Sequence, residues 1–548
     1  MLGLFRRRRA AGRLLLASAC LLAIPLATAA WRWARAPRVW RPGEAAVAFW
    51  TWRAETPSQE DLESAMRETG ARVLFVRAGQ FDFARGRVAR IRAAQGEMPR
   101  RIELHLVYNA TPALLAEFER VDEKVLAEVI AETFRADAES AEREVADGSV
   151  GAQVSGLQLD LDVPTRLLAR YGRVLRETRA RLPQGMQLSV TGLETWMGAE
   201  GLRAALEAVD FWLPQFYGAE IPATADKLIP ISSARSVARG VERARELGKP
   251  FYAGLAAYGH ALLYSEKGKL IELRGDVDPA RVASDRNFEL VERRAFESRV
   301  LADGATRAAP LASEWRYVFR ARGDTVLGGL VVRAGEQIVI DVPSSESLRA
   351  SVRGVREGAG EKLLGISIFR LPTRGDATTL SLAQIAAALA DRDAESSTRI
   401  TVETARGDGG EKISGQLILT TENDGEAGAL YGDDALAVTL RVPRGSVRGV
   451  TRLEGFDSFE TLCESAASAD EARASSAQTT LRPCSAARAG VVRLKARGWP
   501  AGARARVGLS FDGETAALLS ATIAVRRDDG RVWEHSEGLS LRGVEGDE

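Results

Sequence analysis

From residue 45 the chain alternates short apolar runs of β-forming residues with stretches whose apolar positions recur every three to four residues. Eight runs read as strands: "AVAFWTW", "RVLFVRA", "IELHLVYN", "VSGLQLDLD", "QLSVTG", "VDFWLPQFY", "FYAGLAAY" and, much later, "LLGISIFRLP". Such runs suit strands covered on both faces, and the amphipathic intervals suit the covering helices. "SQEDLESAMRETG" follows a proline and ends at a glycine, while Pro183 terminates "RLLARYGRVLRETRARLP". Eight β/α units close a ring of parallel strands, so the expected fold is α/β, a (β/α)8 TIM barrel.

The stretch from 45 to 393 is longer than the ~250 residues such a barrel typically needs. The excess is assigned to an insertion lobe at about 263–340, after strand seven, where "WRYVFRARGDTVLGGLVVRAGEQIVIDV" has strand alternation and turn glycines. The Ser-capped "SSESLRASVRGVREG" then supplies helix seven, and "LSLAQIAAALADRD" helix eight. Beyond it, short strands alternate with Gly, Asp and Asn turns, and a C-terminal antiparallel β-sandwich is expected over 398–545.

Composition narrows the chemistry. Lysine plus arginine (75) nearly cancels aspartate plus glutamate (74) over 548 residues, so no overall field steers the chain toward nucleic acid. Three His and three Cys, with no CxxC or HExxH spacing, argue against a His/Cys metal centre. Phosphate-cradling and nucleophile-elbow motifs are missing, so neither metal nor cofactor is expected. The first 30 residues combine the cationic "FRRRRAAGR", the apolar "LLLASACLLAIPL" and the small-residue "ATA", which reads as a secretory signal peptide. The apolar run is close to the lower limit for a membrane span, so inner-membrane attachment through an uncleaved N-terminus is the alternative. Cys463 and Cys484 are expected to form a disulfide in a periplasmic or extracellular compartment, closing a loop around the Ala/Ser-rich "ESAASADEARASSAQTT".

Candidate chemistry concentrates in "VSGLQLDLDVP", residues 154–164. Residues two apart share a face of a strand. Leu157, Leu159, Leu161 and Val163 would then face the helices, and Gln158, Asp160 and Asp162 the barrel axis. A column of polar groups is tolerable only where the strand's carboxyl end opens into the mouth that houses barrel active sites. Asp160 and Asp162 would repel each other's charge and raise the pKa of one, as a general acid at neutral pH requires.

"GLQLDLDVP" resembles the strand-four signature of glycoside hydrolase family 18, the chitinase family. Gly156 falls on the signature Gly, Gln158 on the first Asp, Asp160 on the inner Asp and Asp162 on the acid Glu. "VDFWLPQFYG" resembles the family's strand-six segment, which puts Tyr217 on the Tyr that stabilises the intermediate, with Gln215 beside it. "KPFYAGLAAYG" is similar to the strand-seven segment. The chain also resembles a bacterial exported family of unknown function with a divergent glycosidase-like barrel. The chitinase resemblance implies that Asp162 protonates the leaving oxygen, Asp160 orients the substrate's N-acetyl group as nucleophile, and Tyr217 hydrogen-bonds the intermediate.

Asp162 is one methylene shorter than the family's Glu, about 1.5 Å. Gln158 carries no charge, and Phe369 stands where the family has a sugar-platform Trp. Trp50 and Trp52 share a face of strand one, and Trp196 and Tyr108 lie near strand ends; all four are substrate-binding candidates with Gln158 and Gln215. The competing view makes the Asp pair a structural network and the aromatics a barrel plug. The sequence thus leads to an exported glycoside hydrolase-like protein acting on an amino-sugar polysaccharide or oligosaccharide. The alternative is a catalytically inactive barrel serving as a glycan-binding or scaffold module. Neither reading names a protein partner.

Overall fold

The computed structural model describes residues 45–143, 152–218, 220–298, 311–373, 376–405, 412–442, 445–465, 480–485, 489–514, 519–528, 530–539 and 542–543. The leader and the Ala/Ser-rich loop expected from the sequence lie outside them. Among the described residues no helix is long and apolar enough to cross a membrane.

Eight parallel strands form a closed ring: β1 (Ala46–Trp50), β2 (Val73–Ala84), β3 (Glu103–Ala110), β4 (Gln153–Asp160), β5 (Gln187–Gly192), β6 (Phe211–Pro214), β7 (Phe251–Ala256) and β8 (Leu363–Phe369). β1 pairs in parallel with both β8 and β2, which closes the barrel. All eight fall on the runs that the hydrophobic pattern marks. Outward residues such as Leu157, Leu159, Leu161 and Val163 are buried in one continuous core under the helices. A separate inner cluster fills the barrel, with Trp50, Phe75, Val107, Phe211 and Tyr252 among its members. Gly156 serves this interior: a Cβ there would lie 2.6 Å from the Gln187 carbonyl and 2.8 Å from His105 Nδ1.

The insertion follows β7, as expected, and spans more than expected. Its first strand, His260–Tyr264, starts after three residues, and its last, Gln337–Pro343, leads directly into the helix Ser345–Gly358. Gly259 permits so short a turn, since a Cβ there would stand 2.3 Å from the Asp341 carbonyl. The lobe holds a five-stranded antiparallel sheet and a small hairpin, Thr325–Leu327 with Leu330–Val332. A second departure is on β2, which runs beyond the ring and folds back through Arg87–Ala93 as an antiparallel arm. The pattern did not reveal this arm because arginines interrupt its alternation.

The C-terminal region is a pair of antiparallel-rich sheets of five and six strands around their own apolar core. Cys463 and Cys484 are joined by a disulfide. In the chain-entropy picture a loop of this length stabilises by about 3 kcal/mol. The sandwich is tied to the rest by Asp528, whose Oδ2 accepts from the Ser345 hydroxyl at 2.8 Å and the Gln384 amide at 3.2 Å.

Candidate active site

Inward side chains stack in layers up the barrel axis. Lowest is an aromatic layer, in which His105 lies 5.1 Å from Phe75 and 5.3 Å from Phe211, centroid to centroid. Above it, Trp50 Nε1 donates to Gln158 Oε1 at 2.8 Å, and Gln158 Nε2 reaches the Ser189 hydroxyl at 3.4 Å. Gln158 is completely buried and Trp50 nearly so. Offered from the sequence as substrate contacts, the two instead form a buried layer beneath the mouth. An amide suits this layer better than a carboxylate, because it accepts from the indole and donates to the serine without a buried charge.

The next layer opens to solvent. Asp160, partly exposed at the end of β4, accepts from the Thr191 hydroxyl at 2.6 Å and from the Gln215 amide at 3.4 Å. Burial pushes its pKa up, while the Thr191 bond, the Arg77 charge and the Gln215 bond oppose that rise. Asp162 does not continue the strand as its spacing suggested. The chain turns after Asp160, and a Val163 N–H to Leu161 carbonyl bond of 2.7 Å makes Asp162 the centre of a three-residue turn. The turn lifts its carboxyl out of the column to the rim, where it is exposed. Protein packed around it still raises its pKa to about 7, loss of water contributing more than the Asp160 charge.

Tyr217 closes the other side of the mouth. Its ring stacks on Phe369 at 5.4 Å and meets Tyr258 edge-on at 6.0 Å. Burial, then Tyr258 and both carboxylates, hold its hydroxyl well above the ordinary tyrosine range, so it stays a donor. Asn109, the register partner of Asp160 on β3, adds a buried Oδ1 without a hydrogen bond. Arg77, Thr191 and Tyr258 went unrecognised in the sequence, whereas Asn109 stood out at the end of its strand and was read as structural. For Arg77 the signal was present: it stands two residues after inward Phe75 in "RVLFVRA".

The remaining candidates separate. Trp52 is half-buried near the mouth, with the Arg370 guanidinium 4.3 Å from its ring centroid. Tyr108 faces outward, its hydroxyl donating to Asp137 at 2.8 Å and its ring stacked on Phe81. One residue of register separates it from inward Val107, which explains the misassignment. Trp196 also lies in the outer core, where Nε1 donates to the Val163 carbonyl at 3.0 Å. It does not line the mouth; it anchors the turn that presents Asp162.

Fold and mouth together define a (β/α)8 barrel with two carboxyls at the carboxyl end of β4. A family profile described as a domain of unknown function (DUF3142) matches residues 120–294, the stretch containing β4 to β7. No curated protein matches the chain. Similar solved structures include the spore cortex-lytic enzyme SleL of Bacillus cereus, at 15% identity and a TM-score of 0.38, covering 63% of this chain and 74% of that one. A chitinase from Chromobacterium violaceum is similar at 14% identity and a TM-score of 0.39, covering 63% and 98% respectively. A chitinase from Bacteroides thetaiotaomicron is similar at 10% identity and a TM-score of 0.37, covering 63% and 97%.

Proposed function

We propose that the protein is an exported glycoside hydrolase that cleaves an amino-sugar polysaccharide with Asp162 as general acid. The observation that carries this reading is a solvent-reachable carboxyl with a pKa of about 7 beside a second, hydrogen-bonded carboxyl. An acid that is half protonated near neutrality is matched to proton donation there. Asp162 gives its proton to the leaving oxygen as the glycosidic C–O bond breaks. Asp160 orients the substrate's N-acetyl carbonyl, which attacks the anomeric carbon in the manner the chitinase resemblance implies. Tyr217 donates to the resulting intermediate, and water then opens it and returns the proton to Asp162. The cationic leader and the Cys463–Cys484 disulfide support an oxidising compartment outside the cytoplasm.

The test is turnover of labelled chitooligosaccharide, peptidoglycan glycan and de-N-acetylated polymer by the purified protein and by Asp162→Asn. Hydrolysis abolished in the variant while the fold persists is the expected result. Equal binding by both proteins without hydrolysis by either would replace this reading with the glycan-binding module.

A further inference from the structure

The lobe strand Leu311–Ala321 reads "LASEWRYVFRA". Residues two apart share a face: Trp315, Tyr317 and Phe319 pack in or against the lobe's main core, while Val318 joins Leu262, Tyr264 and Val339 on the opposite side. Alternation would make positions 314 and 316 apolar like Val318. They are Glu314 and Arg316 instead, 2% and 1% exposed. Burying a charge is costly unless its hydrogen bonds are supplied, so the groups that supply them show what the two charges hold.

Both reach the connection that runs from Tyr217 to the helix Ala234–Glu246. Glu314 Oε2 accepts the Ile231 N–H and Oε1 the Ser232 N–H, each at 2.8 Å. Arg316, besides holding Asp341, donates to the Lys227 carbonyl at 2.7 Å, and the Tyr264 hydroxyl donates to the Pro222 carbonyl at 2.8 Å. The lobe therefore grips this connection at three places. The grip is passed on to Tyr217. Ser232 Oγ donates to the Phe216 carbonyl at 2.9 Å, and the Gly218 N–H donates to the Ile231 carbonyl at 2.7 Å. The two residues flanking Tyr217 are thus tied to the two residues that Glu314 holds, and Ser233 fixes the far side of that segment by capping the helix. Stacking on Phe369 orients the phenol plane but resists sliding only weakly, so the backbone ties set where the hydroxyl stands. Two adjacent N–H donors need two acceptors, and a glutamine of the same shape would offer one acceptor and one opposing NH₂.

We propose that Glu314 is a positioning residue for the mouth: by clamping the backbone of Ile231 and Ser232 it holds Tyr217 where its hydroxyl meets the intermediate. The insertion lobe is then part of the working site, joined to it through the connection after β6. This rests on the glycosidase reading of the mouth.

The test compares the full-length wild type, Glu314→Gln, Tyr217→Phe and the double variant on labelled chitooligosaccharide, with amide hydrogen exchange of the peptides covering 211–232 read by mass spectrometry. Glu314→Gln is expected to lower kcat by about 10–100-fold and to leave KM within about twofold, because the interaction lost is one made in the transition state. In the Tyr217→Phe background the same substitution should cost less than about twofold, since the group it positions is already gone. Exchange across 211–232 should quicken by about tenfold while β1 to β4 keep their protection. Ser232→Ala, which breaks only the tie to the Phe216 carbonyl, serves if Glu314→Gln does not fold; its kcat should fall by about threefold, again only while Tyr217 is present. Losses that multiply in the double variant, or a kcat unmoved by the clamp substitutions, make Glu314 merely structural and overturn the proposal while the hydrolase stands. If the wild type does not hydrolyse the oligosaccharide, the hydrolase reading falls and exchange decides the rest: faster exchange in Glu314→Gln upholds the clamp on Tyr217, and unchanged exchange removes it as well.

Discussion

Asp341 in the insertion lobe is fully buried, and Arg316 donates to both of its oxygens at 2.7 Å, whereas Asp160 at the end of β4 is held only by a hydroxyl and an amide. The same contrast recurs close by. Burial would raise Asp376, but the hydrogen bonds and charge of buried Arg370 outweigh it and leave the carboxyl below its ordinary range. Asp160 and Asp162 have no cation within ion-pair distance among the described residues, and both are raised. Carboxylates that hold the lobe together are matched with arginines, and those at the mouth are left able to take a proton. Glu314 shows that a raised pKa alone does not make a catalytic acid. Burial drives it well above its ordinary value, yet it is sealed and accepts the Ile231 and Ser232 N–H groups at 2.8 Å each. Only a carboxyl that is both raised and open can meet a substrate.

Breaking the matched side should have the largest effect. Arg316→Met strands Asp341 without its countercharge and is expected to cost about 3–5 kcal/mol of stability, read from denaturant midpoints. A loss below about 1 kcal/mol would mean that His260, 3.3 Å from Asp341, suffices as a partner. On the unmatched side, Asp162→Asn should leave the fold intact and lower kcat by about 10²–10⁴-fold. A variant that keeps its rate would move the acid to another residue.

The pH dependence sharpens the contrast further. Activity should fall as pH rises through about 7, where Asp162 loses its proton. Stability runs with the same sign: a carboxyl with a folded pKa above its unfolded value of about 4 supports the fold fully below that pH, and that support is gone above about 7. Wild type should therefore lose stability relative to Asp162→Asn across this window, as thermal melts at a series of pH values would show. The mildest change is Thr191→Val, which removes the donor that favours ionised Asp160. It should raise that carboxyl's pKa further, visible in the acidic limb of the rate profile, at a stability cost of about 1 kcal/mol.

Much of the architecture was legible because strands buried on both faces must be apolar nearly throughout. All eight barrel strands and the lobe after β7 follow from that pattern, as does the inward facing of Asp160. The site was less legible. Periodicity gives a face but not a depth, so Trp50 and Gln158 looked like Asp160 until their layer was known. Tyr108 and Trp196 show a second limit, since a residue near a strand end has the outer core as an equally close neighbour. The arm on β2 shows a third, because its arginines take their positions from pairing with β2 and not from any alternation of their own.

By itself the sequence determined the order of elements, the two-residue period that aims acidic groups at the axis, and the pairing partners available to each charge. The tertiary structure alone decided that the chain turns after Asp160, that Trp196 anchors that turn, and that Arg77, Thr191 and Gln215 surround Asp160 while Asp162 stays open. The physical reason is that a pKa and an access route depend on everything packed around a group, and those neighbours come from strands far apart in the chain.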